Sequence, residues 1–273
     1  MKGLELAQAG RQAGRQAGRS SMLTLAPWKG GKARMVSRLL PLFPVHICYV
    51  EPFGGMASLL LNKPSSEVEV YNDRDDRLLE LFSVLKYHPQ EFDRELDGLL
   101  TSRRLFELYR DRTGITDIQR SAQFLYALAF SFSGKGESFA PGAIKNAGSI
   151  QQLRERAELV KQRLQRVTIE HLDWEEVIAR YDGPDTFFFC DPPYMETSGY
   201  RMQFVDRDQE ALAARLKAIK GKFLMTNSDV PGVRHLYRGF QTIVLRGQLC
   251  IERSHARQLK HLVVANYRLK GSR

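Results

Sequence analysis

The residues best suited to chemistry form one tetrapeptide, Asp191-Pro192-Pro193-Tyr194, directly after an apolar, aromatic-rich run over 186–190 that predicts a buried strand. An exocyclic amine on a nucleobase is a poor nucleophile because its lone pair is delocalised into the ring. Asp191 and the carbonyl of Pro192 could accept its two N–H groups and localise that pair. The prolines stiffen the segment, and Tyr194 can stack on the ring. The tetrapeptide therefore predicts a site for a flat, amine-bearing base, with a plain turn as the alternative.

A glycine loop earlier in the chain forms a second candidate site. The segment 50–57 (Val-Glu-Pro-Phe-Gly-Gly-Met-Ala) lies between the apolar stretches 45–50 and 58–62, so it predicts a strand, a glycine turn and a helix start that could bind a cofactor. About 20 residues further on, an alternating strand pattern ends in Asp73, where an acidic residue commonly accepts hydrogen bonds from ribose hydroxyls. The loop lacks the Gly-x-Gly-x-x-Gly of nicotinamide enzymes. An ordinary tight turn is the alternative.

The order of these motifs resembles the Dam-type DNA adenine methyltransferases over about residues 23–269. The matching motifs are Trp28-Lys29-Gly30-Gly31-Lys32, Glu51-Pro52-Phe53-Gly54-Gly55, Asp73, Asp173-Trp174 and Asp191-Pro192-Pro193-Tyr194. The tetrapeptide occurs in several amino methyltransferases, whereas the early Trp-x-Gly-Gly-Lys in this order is specific. Two departures stand out. Ala57 replaces a glycine that the family usually has, and 133–142 matches the family's recognition loop only loosely, which leaves the target sequence open.

The resemblance implies a set of site residues for S-adenosyl-L-methionine and the target base. The implied catalytic residues are Asp191, Pro192, Pro193 and Tyr194. The implied cofactor-binding residues are Trp28, Lys32, Glu51, Phe53, Gly54, Gly55, Asp73, Asp173, Trp174 and Asp191. In this scheme Asp73 takes the ribose hydroxyls, Asp173 meets the cofactor adenine and Asp191 lies between cofactor and amine. The alternatives are a helix N-cap for Asp173, a core aromatic for Trp28 and a solvated charge for Lys32.

The apolar patterns predict an α/β fold with a doubly wound, Rossmann-like methyltransferase sheet. Strand-like runs at 45–50, 67–71, 186–190, 222–226, 241–246 and 262–267 alternate with helical segments. Residues 87–165 have helical spacing, with a charged amphipathic helix over 150–167, and predict a mainly helical target-recognition insert. The catalytic domain would then be 22–86 plus 166–273. Residues 1–21, which carry a Gly-Arg-Gln-Ala repeat, predict a disordered basic tail before Met22.

The positive charge of the chain lies at its two ends. The net charge is +10, yet residues 1–38 hold 8 Lys and Arg against 1 acidic residue, 215–273 hold 13 against 2, and the middle holds 20 against 28. We expect the two basic segments to fold into one face for the phosphate backbone of double-stranded DNA. A generally basic surface is the alternative. The candidate DNA contacts are Lys135, Lys145 and Arg253. Lys135 and Lys145 lie in a glycine-rich stretch, for which a plain flexible loop is the alternative.

The composition argues against several other classes of protein. Cys48, Cys190 and Cys250 show no paired spacing, which argues against disulfides and a zinc site, and we expect no metal. No membrane span or signal peptide is evident, so we expect a cytoplasmic, nucleoid-associated protein. The leading hypothesis is an adenine-N6 DNA methyltransferase. The alternatives are an amino methyltransferase on RNA or protein, and a catalytically silent DNA-binding regulator. A partner restriction nuclease and the oligomeric state are left open.

Overall fold

The centre of the molecule is one mixed sheet. A computed structural model describes residues 22–111, 113–134, 136–140, 149–194, 204–248 and 258–269, and these contain seven strands. The strands are β1 (Cys48–Glu51), β2 (Val68–Asn72), β3 (Val167–Glu170), β4 (Thr186–Cys190), β5 (Lys222–Ser228), β6 (Gln241–Gln248) and β7 (Gln258–Ala265). Their order is β3-β2-β1-β4-β5-β7-β6, parallel except for β7, which runs antiparallel to both neighbours. The predicted doubly wound α/β fold is therefore confirmed.

Helices cover both faces of this sheet. The α-helices in the described ranges are α1 (Val36–Leu39), α2 (Asp76–Tyr87), α3 (Pro89–Asp97), α4 (Arg103–Tyr109), α5 (Asp117–Ala129), α6 (Ile150–Leu164), α7 (Trp174–Tyr181), α8 (Asp206–Ala218) and α9 (Pro231–Leu236). Short 3-10 turns occupy Ala33–Met35, Leu40–Leu42 and Phe132–Gly134. Within these ranges, none of the helices is long and apolar enough to cross a membrane.

The strand order places a crevice beside β1. This strand pairs in parallel with β2 on one side and with β4 on the other, so that Cys48 lies opposite both Val68 and Thr186. The chain winds outward in opposite directions from this point. In open α/β sheets, ligands bind at such a switch point, outside the carboxyl ends of the strands. Both the glycine loop and the tetrapeptide follow strands that end there.

Alternate residues of each strand enter two hydrophobic cores, as the two-residue period of a strand requires. Phe187 and Phe189 of β4 face one core, and Phe188 and Cys190 face the other. Helices α7, α8 and α9 cover the second face. The first core also contains apolar residues from every helix of the expected insert, including Phe92, Phe106, Phe124 and Leu153. The described insert helices therefore pack on the same core as the sheet, and the proposed division into domains stays a prediction.

Strand β3 corrects one of the expectations. The six expected strands are present, with their ends shifted by up to four residues, and β3 is an additional, unexpected strand that begins at Val167, where the expected amphipathic helix was to end. Helix α6 ends at Leu164, and Val167 already pairs with Glu69 of β2. The helical pattern of α6 runs into a short strand whose position is decided by pairing with β2.

A second correction concerns the segment after the glycine loop. Residues 58–62 form successive turns rather than the expected start of a helix. Two helix-like hydrogen bonds are present, from the amide of Leu61 to the carbonyl of Ala57 and from that of Lys63 to Leu59, each 2.9 Å long. The loop therefore cannot bind a ligand through the dipole of a regular helix. Any contribution must come from its own amides and from neighbouring side chains.

Candidate active site

A cleft of about 280 Å³ opens at the carboxyl ends of β1, β2 and β4. All ten of the residues expected to bind a cofactor line it: Trp28, Lys32, Glu51, Phe53, Gly54, Gly55, Asp73, Asp173, Trp174 and Asp191. Pro193 also lines the cleft, whereas Pro192 and Tyr194 do not contribute to its lining. The structure thus brings together predicted site residues that are up to 165 positions apart, Trp28 and Pro193.

The two glycines of the loop are required by close packing. The amide of Gly54 donates to the carbonyl of Asn72 over 2.8 Å, and a Cβ at Gly54 would lie 2.2 Å from the ring of Tyr71. Gly55 has φ +51°, and its added Cβ would lie 3.1 Å from Nε1 of Trp28. A side chain at either position would therefore push the loop away from β2 or from the tryptophan.

Ala57 adopts a left-handed backbone conformation, which glycine adopts more readily than alanine does. It is the one non-glycine residue with positive φ in the described ranges, at +55°. For an alanine the left-handed region costs about 1 to 2 kcal/mol. Its methyl group is fully buried, and the residue does not line the cleft. The loop therefore accommodates the alanine in this conformation at some cost in strain.

Asp73 connects the end of β2 to the glycine loop. Its Oδ2 accepts the amide of Gly55 over 2.8 Å, and its Oδ1 accepts the amide of Asp75 over 2.9 Å. Burial raises the pKa of Asp73, while these backbone donors act in the opposite direction. The backbone of Arg74 supplies a third hydrogen bond, and a carboxylate has about four acceptor sites in all. Asp73 is thus fixed in orientation and retains acceptor capacity at the cleft.

The far wall of the cleft combines a capping aspartate with aromatic rings. Asp173 caps α7, because its Oδ1 accepts the amide of Glu175 over 3.1 Å, and its Oδ2 lies 3.2 Å from Nη1 of Arg74. The helix-cap interpretation of Asp173 is therefore confirmed. The same residue also lines the cleft, so capping does not exclude contact with a ligand. Beside it, the rings of Trp174 and Phe53 stack with centroids 6.2 Å apart.

Asp191 is held between two side chains from distant parts of the sequence. Its Oδ2 accepts the ammonium of Lys32 over 2.5 Å, and its Oδ1 accepts the hydroxyl of Thr226 over 2.5 Å. The ammonium of Lys32 also donates to the carbonyl of Gly30 over 2.8 Å. Lys32 is only 5% exposed, so the interpretation as a solvated surface charge is wrong. Trp28, by contrast, lines the cleft and also packs edge to face on a core aromatic, Phe124.

Sequence reasoning missed the residues that position the tetrapeptide. The Nε2 of Gln209 donates to the carbonyl of Pro193 over 2.9 Å, and Asn227 donates to the Oε1 of Gln209 over 3.0 Å. Both amide side chains are buried. The hydroxyl of Tyr194 lies 2.9 Å from Nδ1 of His261. Polar residues at the end of the apolar strand pattern could have indicated Asn227, whereas no local pattern marks Gln209 or His261.

The two basic segments are in contact, whereas their expected role as one face for DNA stays a prediction. The guanidinium of Arg38 donates to the carbonyl of Arg246 over 2.5 Å, and the hydroxyl of Tyr267 donates to the carbonyl of Leu42 over 3.0 Å. The side chains of both arginines are exposed. The expected DNA contacts Lys135, Lys145 and Arg253, and the basic tail 1–21, lie outside the described residues, and the predictions made for them stand as predictions.

Comparison with known proteins decides which kind of enzyme this cleft belongs to. Residues 28–249 match the family model of D12 class N6 adenine-specific DNA methyltransferases. The chain belongs to this family. The predicted resemblance is thereby confirmed, and with it the assignment as an adenine-specific DNA methyltransferase.

Three curated relatives agree with that assignment. The DNA adenine methylase of Vibrio cholerae is 29% identical over 255 residues, which cover 84% of this chain and 90% of the relative. The DNA adenine methylase of Serratia marcescens is 25% identical, covering 83% and 91%. The modification methylase StsI of Streptococcus sanguinis is 25% identical over 187 residues, or 62% of this chain and 28% of that protein. The similarity to the two adenine methylases thus spans most of both chains.

Burial also perturbs Glu51, a second carboxyl group of the cleft. Its Oε1 accepts the hydroxyl of Tyr49 over 2.6 Å and the amide of Leu60 over 2.8 Å. Burial raises the pKa of Glu51 from 4.5 to about 7, against the opposing effect of these two donors. The folded protein therefore binds this proton more tightly than the unfolded chain does. The associated stabilisation is present below pH 4.5 and is lost as the pH rises through about 7.

This shift predicts a specific pH dependence of stability. Between pH 5.5 and 8 the free energy of unfolding should fall by roughly 2 kcal/mol more in the parent than in Glu51→Gln, whose side chain keeps the acceptor but does not titrate. Urea unfolding at the two pH values measures the difference. Equal pH slopes for the two proteins would show that Glu51 is not protonated in the folded state near neutral pH.

Proposed function

We propose that this enzyme binds S-adenosylmethionine in the cleft and methylates the N6 amine of an adenine extruded from double-stranded DNA. The observation that carries the proposal is the position of Asp191. It lies at the carboxyl end of β4, in the same cleft as the acidic and aromatic residues at the ends of β1 and β2. This places an acceptor for an amine beside a site with the chemistry of a nucleoside pocket.

The residues of the cleft fit the cofactor. Asp73 has acceptor capacity for ribose hydroxyls, and the stacked rings of Phe53 and Trp174 offer apolar surface for a purine. Gly54 packs against Tyr71 and Gly55 against Trp28, and a side chain at either glycine would fill the space beside these rings. When bound, S-adenosylmethionine supplies an electrophilic methyl group. The protein itself contributes binding, orientation and hydrogen-bond acceptors.

Asp191 would act on the target amine as an acceptor. Each of its oxygens holds one partner, Lys32 or Thr226, and each keeps a second lone pair. An N–H that donates to Asp191 leaves more electron density on the amine nitrogen, which becomes a better nucleophile. Because the carboxylate is already oriented, little reorganisation is needed as charge develops. Tyr194 would stack on the extruded base, and Gln209 fixes the loop through the carbonyl of Pro193.

The joined basic segments would bind the DNA backbone. Arg38 and Arg246 are exposed and adjacent, and Arg246 lies on β6, the outermost strand of the sheet. Lysine and arginine side chains that neutralise phosphates release condensed counterions, so affinity should fall steeply with salt. A DNA substrate would place the enzyme in the cytoplasm, at the nucleoid.

Replacing the proposed acceptor should remove activity. We expect Asp191→Ala to lower kcat for methyl transfer to unmethylated genomic DNA by at least about a hundredfold, the effect of losing one preorganised electrostatic group. The measurement is incorporation of labelled methyl groups from S-adenosylmethionine. Asp185→Ala is a matched control, because this exposed aspartate lies just before the opposite end of β4, and it should retain activity. Residual activity of Asp191→Ala within about tenfold of the parent would exclude the acceptor role.

The cofactor and DNA surfaces should be separable by a reciprocal pair of variants. Asp73→Ala should weaken binding of S-adenosylmethionine in titration calorimetry and leave DNA affinity unchanged. The double variant Arg38→Gln, Arg246→Gln should do the reverse, and its slope of log affinity against log salt should be smaller by roughly 1.8, for two phosphate contacts. Loss of both affinities in either protein, or an unchanged salt slope, would contradict the assignment of these surfaces.

A further inference from the structure

Tyr194 is held by a histidine from a distant strand. Its hydroxyl lies 2.9 Å from Nδ1 of His261, and the two rings meet edge to face with their centroids 5.7 Å apart. Both residues are buried, each with 9% of its surface exposed. Buried polar groups need hydrogen-bond partners, so this contact, together with a hydrogen bond to the side chain of Thr226, helps to fix where the hydroxyl points.

His261 stands on a rigid part of the sheet. In the register of β7 it lies opposite Ser228 on β5 and opposite Leu245 on β6, so its strand is paired on both sides. Tyr194, by contrast, follows two prolines in an irregular segment without such pairing. Site residues are placed most accurately when a rigid element holds them. His261 can therefore hold the ring of Tyr194 at a fixed position relative to the sheet.

The surroundings of His261 favour a neutral imidazole. Burial, and after it the positive charges of Lys32 and Arg38, lower the pKa of His261 to about 4. A neutral imidazole carries one donor and one acceptor nitrogen, which suits a hydroxyl partner. On the ring itself, the ammonium of Lys32 lies 4.7 Å from the centroid of Tyr194, within the range of a cation–π contact. Tyr194 is thus fixed at its hydroxyl and over its ring.

We propose that His261 is a positioning residue that sets, through the hydroxyl of Tyr194, the plane in which this ring meets the target base. The inference rests on the stacking role proposed for Tyr194. A ring that turns out of this plane would present the amine of the base to Asp191 at a changed distance and angle. Misplacement of reacting groups by about 1 Å can cost about a hundredfold in rate. His261 acts here through Tyr194 and not on the base itself.

Two variants isolate the hydrogen bond. Leucine and asparagine have the same branched shape, so His261→Leu and His261→Asn leave the same space, and only asparagine restores a polar atom near the position of Nδ1. On unmethylated genomic DNA, which contains every short target sequence, kcat should fall about three- to tenfold for His261→Leu, the equivalent of one lost hydrogen bond. His261→Asn should recover to within about twofold of the parent. Both variants should bind S-adenosylmethionine with equal affinity.

The same two substitutions at His261 are then made in a protein that also carries Tyr194→Phe, and the two double variants are compared. Without the hydroxyl there is nothing for residue 261 to hold, so the two double variants should have equal kcat. A leucine–asparagine difference that persists without the hydroxyl, or that is absent with it, would overturn the positioning role. If instead the parent enzyme transfers no methyl group to adenine in DNA, the proposed function fails. An active parent with equal His261 variants excludes the positioning role alone.

Discussion

The arrangement on which the active edge depends is the ion pair between Asp191 and Lys32, completed by the hydroxyl of Thr226. Asp191 directly follows the buried strand β4 and keeps 15% of its side chain exposed, whereas Lys32 is buried, so the ammonium of Lys32 depends on this partner. Breaking a buried pair by removing one member typically costs 3 to 5 kcal/mol. The pair therefore connects the N-terminal segment to the centre of the sheet. Asp191, the proposed catalytic group, thus also stabilises the structure around the site.

The parallel pairing of β1 with its two neighbours brings the remaining site residues to this pair. Each strand delivers its functional residues just beyond its carboxyl end: Glu51 and the glycine loop after β1, Asp73 after β2 and Asp191 after β4. The register matters because a shift by one residue would turn every side chain of a strand to the opposite face. The aromatic run of β4, whose alternate rings fill two different cores, fixes that register.

The parts of the site that could be predicted from the sequence share one property: each is marked by a pattern of neighbouring residues. The tetrapeptide, the glycine loop and Asp73 each follow a strong strand pattern, and a parallel sheet places the ends of such strands at one edge. Strand β3 was missed because four residues carry little pattern of their own after a long amphipathic helix. Its pairing with β2 decides the structure of this segment.

The contacts that position the tetrapeptide could not be predicted, because the partner of each side chain is defined only by the fold. Lys32 is 159 residues away from Asp191 in the sequence, and Tyr194 is 67 residues away from His261. A glutamine in a charged amphipathic helix ordinarily indicates a solvent-exposed position. Gln209 instead donates a hydrogen bond to the carbonyl of Pro193. Side chains of this kind show their role only when the carbonyl or hydroxyl that they contact is known.

We propose that the amine whose N–H group Asp191 accepts is the N6 amine of adenine in DNA. The most direct measurement is to incubate the parent enzyme with unmethylated genomic DNA and S-adenosylmethionine, digest the DNA to nucleosides and identify the methylated species by mass spectrometry. We expect N6-methyldeoxyadenosine, formed only when the cofactor is added. A methyl group on the N4 amine of deoxycytidine, or unmodified DNA from a folded protein that binds both substrates, would contradict it.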